Sequence, residues 1–496
     1  MLRFKVFQNG APASEVDLKG AHLLGGERVP IRGEVRFEKG HIVCEPRSRA
    51  AAALAIQWTV PGFGRVMLET PRLLDRAQPY DLLSELARGH LMRISLKRED
   101  WGLYDNAEGS DAVKAVDKAR DLLLTAITCV NDVEAAAHAE KALIAALGAG
   151  ESVARHYAGM SLGRRRATNL ISQKPLGCRL DPAEVFSSGA AAAHPQRMPN
   201  GLDFVCIPMS WRAIEPKEGK VSLSAIEPWV RVIRERKLQL WAGSMLSFDD
   251  AHRPEWWTGS GKEKEYERLR ESAAKHLKQM YKALAPHVQM WEIASGLHAY
   301  NPLKLKLEQI MELTRMSSML ARQAGPKVQT ILTIVPPWPD YYAADPQTMP
   351  PLLYAEMAIQ SGISFDALGI EIRFGHLPAD NIVRDMLQVS STLDRFGNLG
   401  KPIHVMAAGV PSCPDGTGGS WRGPWSEDVQ AQWLAEFYET AFSKPYVETV
   451  SWHGLADCPD DPGACGLLRT DLSPRPALQR LQTFRESLLS PTTTAS

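Results

Sequence analysis

The chain contains 496 residues, and its 57 lysines and arginines are balanced by 57 aspartates and glutamates. This length exceeds a single compact core and predicts two or three domains, while the balanced charge argues against nucleic-acid binding. The apolar runs fall short of the about 20 residues of a membrane span, and the N-terminus "MLRFKVFQNG" lacks the apolar stretch of a secretory signal. We therefore expect a cytoplasmic protein without a membrane partner.

The first 170 residues divide into two patterns. Residues 1–74 contain short runs in which apolar and polar residues alternate, and in "EVRFEKGHIVCEP" Lys39 and Gly40 form a turn between two such runs. This predicts a small antiparallel β-sandwich, which we also consider as a docking surface for a protein partner. Over 75–170 the apolar spacing changes to three and four, as in "AEKALIAALGAGESVARHYAGM", and predicts a helical connector.

From 171 to 490, apolar strands alternate with loops and amphipathic helices. The candidate strands are "LGCRL", "DFVCIPM", "LQLWAGSML", "VQMWEIA", "VQTILTIV", "FDALGIEI", "PIHVMAA" and "VETVSWHG". Eight strands over roughly 310 residues predict the α/β class and a (β/α)₈ TIM barrel, whose functional site lies at the C-terminal ends of the strands. Several strands are continuously apolar, which suits a parallel sheet covered on both faces. We expect residues 491–496 to form a disordered tail.

The seven cysteines are irregularly spaced and form no CxxC pair. The spacing therefore predicts neither a zinc site nor a redox motif, and we expect no metal and no cofactor. Cys458 and Cys465 flank a turn rich in Pro, Asp and Gly, so they could meet as a disulfide. A reducing compartment favours the alternative of two thiols.

Six segments of the barrel region carry a resemblance to a known family. They are "DFVCIPMSWRAIEPKEGKV", "AGSMLSFDDAHRPEWW", "FDALGIEIRFG", "GKPIHVMAAGVP", "VSWHGLAD" and "GLLRTDLSPRPAL". In this order and spacing they resemble the strand ends of glycoside hydrolase family 10, the xylanase-type (β/α)₈ barrels, over nearly all of 175–485. The resemblance implies the barrel fold and an oligo- or polysaccharide as ligand.

The resemblance also locates two catalytic positions. Family 10 chemistry uses a nucleophile and an acid/base whose carboxyl groups lie about 5 Å apart. In the family the acid/base follows an Asn at the end of strand four, and here these positions fall on Ser295 and Gly296. The nucleophile pattern Thr-Glu-Leu-Asp of strand seven falls on 406–409, so Ala407 occupies the nucleophile position. By this alignment the chain lacks both catalytic acids.

Other carboxylates are candidates to replace them. Glu292 lies four residues before Gly296, which at about 3.3 Å per residue is roughly 13 Å deeper in the barrel, so we expect a buried, hydrogen-bonded carboxylate. Glu371 ends strand six where the family commonly has Gln, and Arg373 follows where it has His. These two could equally neutralise each other as an ion pair. Asp249 aligns with a His of the family's third-strand motif and is the second displaced candidate.

Aromatic residues dominate the predicted strand ends. Indole faces there can stack on sugar rings, although core packing is the alternative for each of them. The long loop "CPDGTGGSWRGPW" after strand seven is expected to cover something. His404 has the opposite strand parity to Ala407, so we expect it to face the helices. The residues predicted to contact a glycan are Trp211, Ser295, Arg373, Trp421, Trp452 and His453.

The sequence is compatible with three functions. The first is a catalytically impaired barrel that binds a glycan or acts as a scaffold, because an acid/base alone contributes on the order of 10²- to 10⁴-fold in rate. The second is an active glycoside hydrolase that uses Glu371 and Asp249, in which Arg373 would favour an acidic sugar. The third is a structural assembly protein that docks through its β-sandwich.

Overall fold

The computed structural model describes residues 1–8, 10–48, 50–103, 110–187, 195–345, 347–375, 382–414, 419–458 and 464–490. The predicted tail, 491–496, lies outside them. The strands are β1 Leu2–Lys5, β2 Phe7–Gln8, β3 Ala11–Pro12, β4 His22–Leu24, β5 Pro30–Ile31, β6 Gly33–Glu38, β7 His41–Pro46, β8 Ala53–Val60, β9 Gly64–Glu69, β10 Tyr80–Asp81, β11 Leu176–Arg179, β12 Phe204–Ile207, β13 Gln239–Ala242, β14 Met290–Ser295, β15 Gln329–Ile334, β16 Ala367–Arg373, β17 Ile403–Gly409 and β18 Val447–His453. The helices are α1 Leu82–Asp100, α2 Asp111–Thr128, α3 Asp132–Ala167, α4 Pro182–Phe186, α5 Trp211–Ile214, α6 Glu227–Glu235, α7 Glu263–Leu284, α8 Leu307–Ala324, α9 Asp340–Ala344, α10 Pro351–Gln360, α11 Met386–Gly397, α12 Glu427–Phe442 and α13 Pro476–Leu489.

The chain divides into two compact units. The N-terminal unit consists of Met1–Gly163, Leu377–Leu393 and Gly416–Trp425, and the barrel unit consists of Arg164–His376, Asp394–Asp415 and Ser426–Ser496. The sandwich region and most of the helical region therefore share one unit, although the sequence predicted them as separate stretches, 1–74 and 75–170.

Two four-stranded sheets form the β part of the N-terminal unit. Their strand orders are β10-β1-β7-β6 and β5-β4-β8-β9, and β4 of one sheet contacts β6 of the other. The turn at Lys39 and Gly40 joins the antiparallel hairpin of β6 and β7, as the alternating pattern predicted. Helix α1 follows β10 directly, because the side chain of Asp81 accepts a hydrogen bond from the backbone N–H of Ser84 (2.7 Å) and caps the first turn.

The barrel unit contains a closed parallel barrel of eight strands, β11 to β18 in sequence order. Each neighbouring pair is parallel, and β11 closes the barrel by pairing with β18, with Leu176 opposite Val450. The eight strands coincide with the eight predicted apolar segments, so the predicted (β/α)₈ barrel is confirmed. Each strand is buried on both faces because helices alternate with strands along this part of the chain.

The lower interior of the barrel is apolar. The rings of Phe204 and Trp241 stack at 3.8 Å, and a Cβ at Gly177 would lie 2.2 Å from the Phe204 ring, so glycine is required at that point of close approach. The ring of His404 lies edge-on at 5.3 Å from Trp241. His404 therefore faces the barrel interior, and the prediction that it faces the helices is wrong. The buried cluster consists of Phe204, Cys206, Trp241, Met290, Ile331, Ala367 and Met406.

Two further expectations concern thiols and membranes. Cys458 and Cys465 are both buried, and the Cys465 Sγ donates a hydrogen bond to the carbonyl oxygen of His453 (3.4 Å). Within the described ranges, every helix is too short or too polar to cross a bilayer.

Candidate ligand site at the barrel mouth

The end of β14 determines the conformation at the predicted acid/base position. Gly296 has a left-handed φ of +65°, and a Cβ placed on it would lie 2.5 Å from the ring of Tyr300 and 3.2 Å from the Val335 carbonyl oxygen. The backbone N–H groups of Ala299 and Tyr300 donate to the Gly296 carbonyl at 3.0 and 2.8 Å, which forms the turn that brings the Tyr300 ring over the glycine. A side chain at Gly296 would therefore be strained by its backbone and would collide with Tyr300.

The neighbouring predicted positions lie within the strands. Ser295 is 4% exposed, and its backbone N–H donates to the Leu246 carbonyl at 3.0 Å. Ala407 is fully buried in β17, opposite Glu371 in the pairing of β16 with β17. The methyl group of Ala407 supplies no nucleophile, and the nearest carboxylate in register is Glu371.

Arg179 is the centre of the buried charge at the mouth. Its Nη1 lies 2.7 Å from Oε2 of Glu292, and its Nη2 lies 3.7 Å from Oε1 of Glu371. All three side chains are 7% exposed or less. Burial opposes the charge of Arg179, yet the two carboxylates outweigh it and raise the pKa of the guanidinium. Glu292 is thus a buried, paired carboxylate, as its depth in strand four predicted.

A second arginine extends this ion network towards solvent. Arg373 Nε lies 3.4 Å from Oε2 of Glu371, and Arg373 Nη1 donates to Nε2 of His453 at 3.0 Å. Since the guanidinium only donates, Nε2 of His453 accepts and carries no proton. Burial and the neighbouring Arg373 lower the pKa of His453, which agrees with a neutral ring. The pairing of Glu371 with Arg373 was the structural alternative considered for these residues, and the structure forms it.

Asp181 ends this network. Its Oδ2 lies 3.5 Å from Nε2 of His453, and its Oδ1 accepts from the backbone N–H of Ala183 at 2.8 Å. Burial opposes its charge, but the Ala183 N–H and the charge of Arg373 lower the pKa of Asp181. Asp181 is therefore an ionised residue whose side chain keeps 38% of its surface exposed.

Asp249 organises the loop after β13. Its Oδ2 accepts from the Ser247 hydroxyl (2.9 Å), and its Oδ1 lies 2.8 Å from Nδ1 of His252 and accepts from the Ala251 N–H at 2.9 Å. Burial opposes its charge, but His252 and these donors hold the pKa of Asp249 well below its usual range. Burial also opposes the charge of His252, but the carboxylate raises the pKa of His252. A carboxyl group that stays ionised in this way is poorly suited to be a general acid.

Two of the predicted stacking residues lie in the core. Trp211 is 2% exposed, donates from Nε1 to Oε2 of Glu215 (2.8 Å) and stacks on His276 at 4.9 Å. Trp452 is fully buried and donates from Nε1 to the Cys465 carbonyl at 2.8 Å. Neither ring presents an open face to a ligand in this structure.

Trp421 belongs to the N-terminal unit. Its segment packs on the hairpin of β8 and β9, where the Ser420 Oγ accepts from the Arg65 N–H (3.1 Å) and the Arg422 N–H donates to the Phe63 carbonyl (3.0 Å). The Arg422 guanidinium stacks on the buried Trp421 ring at 4.2 Å. Of the loop "CPDGTGGSWRGPW", residues 415–418 lie outside the described residues. The aromatic part of this loop therefore contributes to the packing of the N-terminal unit.

Sequence reasoning missed three residues of the mouth: Arg179, Asp181 and Tyr300. Arg179 carried a usable signal, since it is a charged residue at the end of an otherwise apolar strand that must enter the barrel. The position of Asp181 directly before Pro182 indicates only a helix cap, and in the structure Asp181 does cap that helix. Tyr300 gave no signal, because its position over Gly296 depends on the turn that follows β14.

The chain is similar to several solved structures. Xylanase 10B from Thermotoga maritima shares 17% identity and superimposes with a TM-score of 0.47 over 65% of this chain and 98% of that one. Xylanase 10B from Thermotoga petrophila RKU-1, in complex with xylobiose, shares 16% identity, with a TM-score of 0.43 over 66% of this chain and 98% of that one. A mutant of the intracellular xylanase from Thermoanaerobacterium saccharolyticum, bound to xylotetraose, shares 14% identity, with a TM-score of 0.45 over 64% of this chain and 96% of that one. No family model and no curated protein sequence matches the chain.

Proposed function

We propose that this protein is a non-hydrolytic, family 10-like barrel that binds a glycan at the mouth of its barrel unit. The observation that carries the proposal is the end of β14, where Gly296 has a left-handed backbone and lies under the Tyr300 ring. If the chain had lost only the acid at position 296, the backbone there would still accept a glutamate, and a single substitution would restore it. Here the left-handed backbone and the Tyr300 ring both oppose a side chain.

The remaining carboxylates support the absence of hydrolysis. A retaining mechanism needs one carboxylate free to attack the sugar and a second that can carry a proton. Glu371 lies between the guanidinium groups of Arg179 and Arg373, and Asp249 is held ionised by His252. Each of these carboxylates is engaged in a bond that attack or proton transfer would have to break.

The partly exposed groups at the mouth support binding. The side chain of Arg373 is 23% exposed, that of Asp181 is 38% exposed and the Tyr300 ring is half-buried. Together they offer a donor, an acceptor and an aromatic face, which are the groups that recognise sugar hydroxyls and rings. The charges of the two arginines are balanced by Glu292 and Glu371, so this site favours a neutral glycan over an acidic one.

The first experiment is reducing-end release over neutral and acidic polysaccharides, xylan included, with Glu371→Gln assayed in parallel. We expect no release above the background of a buffer control at high protein concentration. Release that Glu371→Gln abolishes would instead establish a hydrolase with displaced carboxylates and would overturn the proposal.

The second experiment measures xylotetraose binding by calorimetry, with Arg373→Ala and Tyr300→Ala as site variants. Each should weaken the barrel-mouth binding event about tenfold, because each removes one of the polar or aromatic contacts. Arg268→Ala is the matched control, since its side chain is 63% exposed and belongs to the same unit. Unchanged affinity in both site variants would exclude binding at the mouth.

A further inference from the structure

A cavity of about 440 Å³ lies within the N-terminal unit, and none of the residues discussed for catalysis lines it. The half-buried rings of Phe7 and Trp58 line it from the strands, and Leu83 of α1 lines it from the helices. Helix α3 contributes Ala136 and Ala137, whose short side chains leave the space open. The volume falls within the roughly 300–1,000 Å³ typical of small-molecule sites.

Polar groups are held in place around this cavity. Arg65 Nη2 donates to Oδ2 of Asp17 at 2.6 Å, and Oδ1 of Asp17 accepts from the Lys19 N–H at 2.8 Å. The Lys19 bond and then Arg65 lower the pKa of Asp17, so its carboxylate is ionised near neutrality. The Arg65 backbone is itself fixed by the Ser420 Oγ. The donors and acceptors of the wall are therefore preorganised, which lowers the entropy lost when a ligand binds.

The chemistry of the wall selects a ligand class. An anion would find Arg65 already neutralised by Asp17, with Glu140 adding a negative charge to the wall. A wholly apolar ligand would remove water from this ion pair and from the side chains of Gln57 and Thr59 without replacing their hydrogen bonds. A neutral polyhydroxylated molecule both donates and accepts, and its ring can cover an indole face.

We infer that the cavity is a second binding site for a neutral saccharide that reaches both faces of β8, with one sugar ring against Trp58 and hydroxyl groups of a second ring bonded to Gln57, Thr59 and the pair of Asp17 and Arg65. The strands β8 and β9 present Thr59 opposite Arg65, so these two side chains lie on one face. The site is separate from the barrel mouth and does not depend on the function proposed there.

Calorimetry of the full chain with xylotetraose and cellotetraose tests the inference. Trp58→Ala should weaken binding at the cavity about tenfold. Ala137→Phe should have the same effect by filling the cavity, and because Ala137 is exposed on α3 this variant keeps the test valid if Trp58→Ala is unstable. Trp101→Ala is the control, since Trp101 stacks on Tyr157 at 4.4 Å in the same unit and does not line the cavity. It should bind like the unmodified chain.

The results for the two sites are distinguishable. If Trp58→Ala and Ala137→Phe retain full affinity while Arg373→Ala loses it, the cavity inference is overturned and the barrel proposal stands. The opposite pattern supports the cavity and removes the barrel site. Failure of both neutral tetrasaccharides to bind the intact chain would overturn the cavity inference, as would preference for an acidic oligosaccharide there.

Discussion

The lower layer of the barrel interior is apolar, whereas the upper layer is charged. Below, aromatic and aliphatic side chains such as Phe204, Trp241 and Ile331 pack without charge. Above, Arg179 and its two carboxylates form a buried ion network. The lower layer stabilises by removing apolar surface from water, whereas the upper layer depends on every charge having its partner. The difference teaches that charge at a barrel mouth can be structural even where the fold places a catalytic site.

The largest expected effect comes from removing the centre of the upper layer. Arg179→Leu leaves Glu292 and Glu371 buried without their shared partner and should lower the free energy of unfolding by about 3–5 kcal/mol. Urea denaturation followed by circular dichroism measures this. The triple variant that also carries Glu292→Leu and Glu371→Leu should recover most of the loss. A single variant as stable as the unmodified chain would show that the network contributes nothing.

The next effect is a dependence of stability on pH that arises from a buried ring. His298 is fully buried, and burial lowers its pKa from the ordinary 6.5 to about 3. The unfolded chain therefore binds a proton that the folded chain does not, and stability falls as pH drops below the unfolded pKa towards the folded one. Between about pH 7 and pH 4 this single residue should remove about 3 kcal/mol.

The variant His298→Phe checks this assignment. It keeps a ring to stack on Tyr354, which His298 contacts at 5.1 Å, but it cannot titrate. The decrease in unfolding free energy on acidification should be smaller in His298→Phe by about the same 3 kcal/mol. Parallel pH profiles for the two proteins would show that His298 is not the cause.

A third effect concerns the glycine beneath Tyr300. Gly296→Ala should cost about 1–2 kcal/mol of stability, because the left-handed backbone and the Tyr300 ring both oppose a Cβ. The double variant Gly296→Glu with Ala407→Glu should remain without hydrolytic activity on xylan. Hydrolysis by that double variant would mean that the mouth has kept a working geometry for both acids, and would contradict our interpretation of β14.

The smallest expected effect comes from breaking an exposed ion pair, in contrast to the buried ion pairs of Arg179. Arg268 and Glu218 form an ion pair at 2.9 Å with side chains 63% and 50% exposed. Glu218→Ala should change the free energy of unfolding by less than about 1 kcal/mol, and added salt should reduce even that difference. A loss comparable to that of Arg179→Leu would remove the distinction between buried and exposed pairs on which the comparison depends.

The sequence predicted the barrel well, because continuous apolar runs mark strands that are buried on both faces. It failed where side-chain direction depends on register. The pairing of β17 with β18 shifts between Ile403 and His404 and again between Val405 and Ala408, so counting alternate residues misplaced His404. The position of Trp421 was equally hidden, since Arg65 and Phe63, which bond to its neighbours Ser420 and Arg422, lie more than 350 residues away in sequence. The ion network at the mouth required distances that spacing alone does not supply.

The composition of the N-terminal unit has a consequence for biosynthesis. It includes Leu377–Leu393 and Gly416–Trp425, and the backbone N–H of Met67 donates to the carbonyl of Val383 at 3.0 Å. A ribosome releases the chain from its N-terminus onward, so the first 163 residues emerge long before the segments that complete their unit. We expect a nascent chain stopped before residue 377 to remain sensitive to protease in its N-terminal region, and to become resistant only once residue 425 has left the exit tunnel.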